Sequence, residues 1–140
     1  MVIEKQMTVD AVLDNLDTVM VFLEETLEEY QCPMKTSMQI AVSFEEIFVN
    51  VANYAYGSAV GQCTVAIEIE ANKDAYKAII TVTDSGKQFN PLDREDPDIT
   101  LSADDREIGG LGIFMTKKSM DSVSYKYENN SNILIMEKSW

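Results

Sequence analysis

The segment from about Thr36 to Tyr56 constrains this chain more than any other. Drawn as a helix at 100° per residue, it puts Phe44, Phe48, Val51 and Ala55 on one apolar face and Glu46, Asn50 and Asn53 roughly opposite, within about 60° of one another. Val42 and Val49 flank that polar cluster. A helix that is apolar nearly all round except for one narrow strip is expected to be covered on both sides. A carboxylate and two carboxamides in such a strip need partners. A solvent-facing stripe that happens to include two valines would give the same pattern, and this segment alone leaves both open.

The rest of the chain supplies the cover. Residues 1–8 are expected as a short edge strand. From Val9 the spacing turns helical: Val9, Val12, Leu13, Leu16, Met20, Leu23, Leu27 and Tyr30 make one apolar stripe, with Thr8 or Asp10 as N-cap and Pro33 marking the end. Gly57 stops the second helix. Two alternating segments follow, Thr64–Ala71 with Val65, Ile67 and Ile69 on one face and Tyr76–Asp84 with Ala78, Ile80 and Val82 on one face; Asn72-Lys73-Asp74 joins them as a hairpin. Residues 85–109 have no clear period, and a loop that long in a small domain is usually functional or mobile. A short helix after Gly112 and two strands near Ser122–Glu128 and Ile133–Lys138, turning at Asn129-Asn130-Ser131, complete the order β-α-α-β-β-loop-α-β-β. That order predicts an α+β two-layer sandwich, with helices on one face of a mixed, mostly antiparallel sheet.

At 140 residues, with 46% hydrophobic side chains, one domain spanning 1–140 with a real core is expected. The net charge of −13 argues against direct nucleic-acid binding, which needs a basic surface, and against adhesion to anionic membranes. The chain has no histidine, which excludes a Ser-His-Asp triad, a His-ligated zinc and a self-phosphorylating histidine within it. Two separated cysteines, Cys32 and Cys63, cannot form a four-ligand metal site and fit a reducing compartment. The opening MVIEKQMTVD does not read as a signal peptide and no 18-residue apolar run occurs, so a cytoplasmic location is expected.

Three short motifs carry chemistry. In the polar strip, Asn50 offers a neutral oxygen of the kind Mg²⁺ prefers, and Glu46, one turn earlier, can polarise a water or hydroxyl. Asp84-Ser85-Gly86 ends a strand: the carboxylate can accept from a base amino group, and glycine lets a ligand approach the backbone, although the same residues make ordinary turns. Gly109-Gly110-Leu111-Gly112 opens a helix and could offer backbone amides to phosphate, or could be a plain hinge. It is neither a Walker A loop nor a Rossmann fingerprint. Lys117 and Lys118 fit a favourable pairing with the helix C-terminus better than a phosphate contact.

In this order and spacing, EEIFVNVANYAY (45–56), DSGKQFNP (84–91) and GGLGIFMTKKSMD (109–121) resemble the three nucleotide-binding boxes of the GHKL ATPase superfamily, most closely its single-domain branch, the anti-sigma factor serine/threonine kinases. The resemblance spans the whole chain. It implies a Bergerat-type fold and binding of ATP with Mg²⁺. It implies that Glu46 is the general base, that Asn50 holds the metal, and that Asn50, Asn53, Asp84, Gly86, Phe89, Gly109, Gly110, Leu111 and Gly112 bind nucleotide, Asp84 reading the adenine amino group. Residues about 93–109 would be the lid over the nucleotide, an acidic one in which Arg94 or Arg106 would have to turn inward to meet phosphate. The implied partners are a sigma factor and an anti-anti-sigma (STAS-domain) protein, and the implied assembly is a homodimer. Two positions depart from the pattern: Tyr54 stands where members often carry histidine, and Asn132 stands near a usual threonine and takes no role.

The function expected on this basis is transfer of the ATP γ-phosphate to a Ser or Thr of the anti-anti-sigma partner, together with sequestration of a sigma factor. The alternative is a nucleotide-gated protein-binding module without kinase activity. The acidic face of the first helix is either a solvated surface or a docking site for a basic region of a sigma factor.

Overall fold

The computed structural model describes residues 1–93 and 111–140. Five strands, β1 (Val2–Asp10), β2 (Gln62–Asn72), β3 (Ala75–Asp84), β4 (Ser122–Glu128) and β5 (Ser131–Ser139), form one sheet in the order β1-β2-β3-β5-β4. Among the described residues three α-helices accompany it: α1 (Leu16–Glu29), α2 (Met34–Asn50) and α3 (Leu111–Ser119). The architecture is the expected α+β sandwich. The sheet differs from the expected mixed one in that all four pairings are antiparallel. β3 and β4 do run the same way, but β5 folds back between them and pairs with both, so the parallel neighbours never meet.

The alternating segments become strands because every second residue is apolar and one face is covered. Cys63, Val65, Ile67 and Ile69 of β2, Ala78, Ile80 and Val82 of β3, and Leu134 and Met136 of β5 are buried together with Val19, Leu23 and Leu27 of α1 and Ile40, Phe44, Ile47 and Phe48 of α2. Each of the Val, Leu, Ile, Phe and Met side chains among them contributes about 1.5–3 kcal/mol on leaving water. The two hairpins close on two-residue turns. Lys73-Asp74 lies between the paired Asn72 and Ala75. Asn129 and Asn130, both left-handed at φ 53° and 60°, lie between Glu128 and Ser131, as a hairpin of this hand requires.

Several boundaries move. Val9 and Asp10 belong to β1, paired with Cys63 and Gln62, so neither Thr8 nor Asp10 caps a helix. Ladder hydrogen bonds to β2 outweigh a helical spacing that Val9 also satisfies; the helix starts only after a 3₁₀ turn at Leu13–Asn15. The second helix starts earlier, at Met34 after Pro33, and its α-geometry ends at Asn50. Val51–Ala55 continue as a π-helical turn, closed by Gly57 at φ 61°. The expected burial on both sides is only partly met: α3 packs beside α2, but Val42 is 62% exposed. In the segment after β3, Pro91–Asp93 form a 3₁₀ turn, while nearly all of the expected lid, with Gly109 and Gly110, lies outside the described residues. No helix among the described residues is long and apolar enough to cross a membrane.

Candidate functional site

The inward row of β3, Ala78, Ile80, Val82, continues to Asp84, which is only 5% exposed. A carboxylate in an apolar row requires compensating donors. The Gly86 N–H and the Asn132 Nδ2 both donate to Asp84 Oδ1 at 2.9 Å, and Oδ2 accepts no hydrogen bond among the described residues. Asn132 is the direct cross-strand partner of Asp84 and opens the inward row Asn132, Leu134, Met136 of β5. All four of its hydrogen-bonding positions are used. Nδ2 also donates to the Lys87 carbonyl at 2.9 Å, and Oδ1 accepts from the Phe89 N–H at 3.1 Å and from the Tyr125 hydroxyl. Burial pushes the Tyr125 phenol up, the Phe89 N–H works the other way, and the Asp84 carboxylate pushes it further up. Asn132 therefore ties the strand end to the loop after it, a role its sequence position did not assign. The one signal was the alternation of Asn132 with Leu134 and Met136.

A second set of contacts holds the loop to the end of α2. Tyr56 accepts from the Ser85 N–H at 2.8 Å and donates to the Gln62 carbonyl. The Lys87 N–H donates to the Ala55 carbonyl at 2.7 Å, and a Cβ on Gly86 would collide with that same carbonyl. The backbone that Gly86 admits is thus the chain's own π-helical turn.

Between that turn and the ends of β3 and β5 lies a cleft with apolar walls from Ile47, Val51, Val82 and Leu134 and a polar edge from Asn50, Lys87, Tyr125 and Asn132; Phe89 stands at its mouth, 49% exposed. Apolar walls with a few fixed polar groups suit a flat heteroaromatic ring. Asn50 and Phe89 line this cleft, and Asp84 reaches it through Asn132. Asn53 does not join them: it is exposed and outside the cleft. The 100° spacing that grouped it with Asn50 holds only in an α-helix, and the wider π turn begins at Val51.

Glu46 lies one turn before Asn50, whose Nδ2 donates to Glu46 Oε1 over a long 3.5 Å. Its carboxylate also meets α3: a Cβ on Gly112 would overlap it. Glu46 and Gly112 line a second groove with Val42, Ser43, Met115 and Thr116. Leu111 opens α3. Lys118 lies in the last turn of the helix, with its Nζ 5.4 Å from the centre of the Phe114 ring one turn back. No cluster of three or more acidic, cysteine or histidine ligands occurs among the described residues. The oxygens available to a cation are those of Glu46 and Asn50, a hard donor set that suits Mg²⁺ completed by water and phosphate.

A family model described as histidine kinase-like ATPase domain matches residues 9–138. Among solved structures, the chain is similar to one described as the crystal structure of the RsbU and RsbW domains of Rv1364c from Mycobacterium tuberculosis. The identity is 15%, the TM-score is 0.65, and the match covers 99% of this chain and 33% of that one. The chain thus spans about a third of that chain's length, and the likeness at this identity is one of fold. No curated protein matches.

Proposed function

The chain belongs to the histidine kinase-like ATPase family, and from that premise we propose that it binds MgATP in the cleft below the π-helical turn and passes the γ-phosphate to a Ser or Thr hydroxyl of an anti-anti-sigma (STAS-domain) partner, while holding a sigma factor inactive. The observation that carries this reading is the buried Asp84–Asn132 pair at the floor of an apolar cleft whose rim carries Asn50. Asp84 accepts from the adenine amino group, Phe89 covers the base at the mouth, and Gly86 keeps the loop close enough for both. Asn50 would hold Mg²⁺, which supplies neutralisation of phosphate charge when bound, and Glu46 stays free to act as base. Gly109, Gly110, Leu111 and Gly112 would offer their amides to the phosphates, and Asn53 contributes only if the π turn rewinds. In the transfer, Glu46 takes the hydroxyl proton as the hydroxyl oxygen bonds to the γ-phosphorus and the bridging oxygen leaves with ADP. The protein works in the cytoplasm as a homodimer on this reading.

One contact favours the second reading, a nucleotide-gated binding module. Gly112 rests on the Glu46 carboxylate and crowds the approach of a hydroxyl, so either that side chain or the start of α3 must shift for transfer. Calorimetric titration with ATP, with and without Mg²⁺, tests the site: Asn50→Ala should abolish the Mg²⁺-dependent part of binding, and no binding at millimolar ATP would remove the reading. Mass spectrometry of the STAS-domain partner then separates the two functions. Phosphate on the partner that Glu46→Gln reduces by 10²-fold or more supports transfer with Glu46 as base; no phosphate leaves the binding module.

A further inference from the structure

α1 and α2 form an antiparallel pair, and the seam between them opens outward as a groove away from the nucleotide cleft. Its α2 side is Met34, Met38 and Ala41, and its α1 side is Glu24 and Glu28. Met34 is 80% exposed and Met38 60%, and Val42 extends the same row one turn further. Three large apolar side chains at four-residue spacing on an exposed helix face form a contiguous patch, and methionines suit a surface that must adapt to a partner. The charge beside it has one sign. α1 contains no Lys or Arg, and Lys35 is the only cation between Lys5 and Lys73. Glu24 and Glu28 make no ion pair among the described residues, whereas Glu29, on the other side of the helix, is bound by Lys5 at 2.6 Å.

We propose that this groove docks a basic amphipathic helix of a partner protein, its apolar side on Met34 and Met38 and its Lys or Arg side chains on Glu24 and Glu28. A helix laid in a groove reads its anchors at three- and four-residue spacing, which is the spacing the methionines present. Carboxylates on one rim choose a basic ligand and set its orientation. The proposal rests on the partner-binding half of the function proposed above and is independent of its nucleotide half.

The test uses the full chain with ¹³C-labelled methionine methyls and two synthetic 15-residue peptides of identical Leu/Lys/Arg composition, one with the leucines aligned on a helix face and one scrambled. The aligned peptide should shift the Met34 and Met38 methyls saturably and leave Met1 and Met115 unmoved. The scrambled peptide should bind at least tenfold more weakly. Glu24→Gln/Glu28→Gln should weaken the aligned peptide about tenfold and flatten its salt dependence, and Met34→Ser/Met38→Ser should do so without changing the salt dependence. All four side chains are exposed, so the variants fold. Equal binding of both peptides, or shifts spread over all exposed methionines, would mean attraction to net charge alone and overturn the proposal. So would affinity unchanged in both double variants. ATP titrated into the same samples reports the nucleotide site separately, so loss of one result does not entail loss of the other.

Discussion

Asn132 Nδ2 donates to Asp84 Oδ1 at 2.9 Å between directly paired residues of β5 and β3, joining two positions 48 apart in the chain. Both stand at the end of inward rows that are otherwise apolar. The pair is the hinge between sheet and cleft, because the same carboxamide also holds the Lys87 carbonyl and the Phe89 N–H.

Asn132→Ala should therefore destabilise by at least about 1–3 kcal/mol, the cost of leaving a buried polar partner unsatisfied, and should weaken nucleotide binding as the loop loosens. Asn132→Asp keeps the shape but sets a carboxylate against Asp84. The like-charge contact raises a folded-state carboxyl pKa above its unfolded value. The stability of that variant should be greatest at low pH and fall as the pH rises through the raised value. Urea unfolding at pH 4.5 and 7.5 checks the sign: a variant no less stable relative to wild type at pH 7.5 than at pH 4.5 would contradict it.

The same substitution at two glycines should have different outcomes. At Gly86 a Cβ meets the backbone carbonyl of Ala55, which is fixed by the Lys87 N–H, so Gly86→Ala should cost about 1–3 kcal/mol as an overpacked contact. At Gly112 the obstacle is the end of the Glu46 side chain, which can swing away. Gly112→Ala should leave the thermal midpoint within a few degrees of wild type and act on phosphate transfer instead. Paired thermal melts and transfer assays separate the two cases.

Cys63 is fully buried opposite Asp84, and burial, with the carboxylate adding to it, pushes its thiol from 9.0 up to about 12. The half-buried Cys32 is pushed up to about 11 by burial. Both should resist iodoacetamide at pH 8 in the native protein and react on unfolding, because the thiolate is the nucleophile. The folded-state value lies above the unfolded one, so this contribution to stability is intact below pH 9 and is lost as the pH rises toward 12. Alkylation of Cys63 in the native protein as fast as in urea would show that the strand end opens.

Much of this was legible in the sequence where one physical rule acts alone. The β2–β3 hairpin shows in the period of two from Val65 to Val82, and Asp84 shows as the polar residue ending that run. Legibility failed where tertiary pairing decides. Val9 satisfies both a helical and a strand spacing, and only the partner Cys63 selects the strand. An α-helical rotation groups Asn53 with Asn50, the π turn interrupts that rotation, and no residue in Val51–Ala55 announces the turn. The alternation of Asn132 with Leu134 and Met136 marks it as inward-facing, but its importance comes from its register against Asp84, which no local pattern contains.

The strand order has a consequence for assembly. β5 is the last strand in sequence, yet it occupies an interior place between β3 and β4. Until it inserts, β3 is an unprotected edge and Asp84 lacks its carboxamide partner. The cleft therefore cannot exist before β5 is in place. Its walls come from strands far apart in the chain, and such non-local contacts close late in folding. An intact cleft is in this way a built-in record of assembly: a molecule in which it is formed has already seated its last strand.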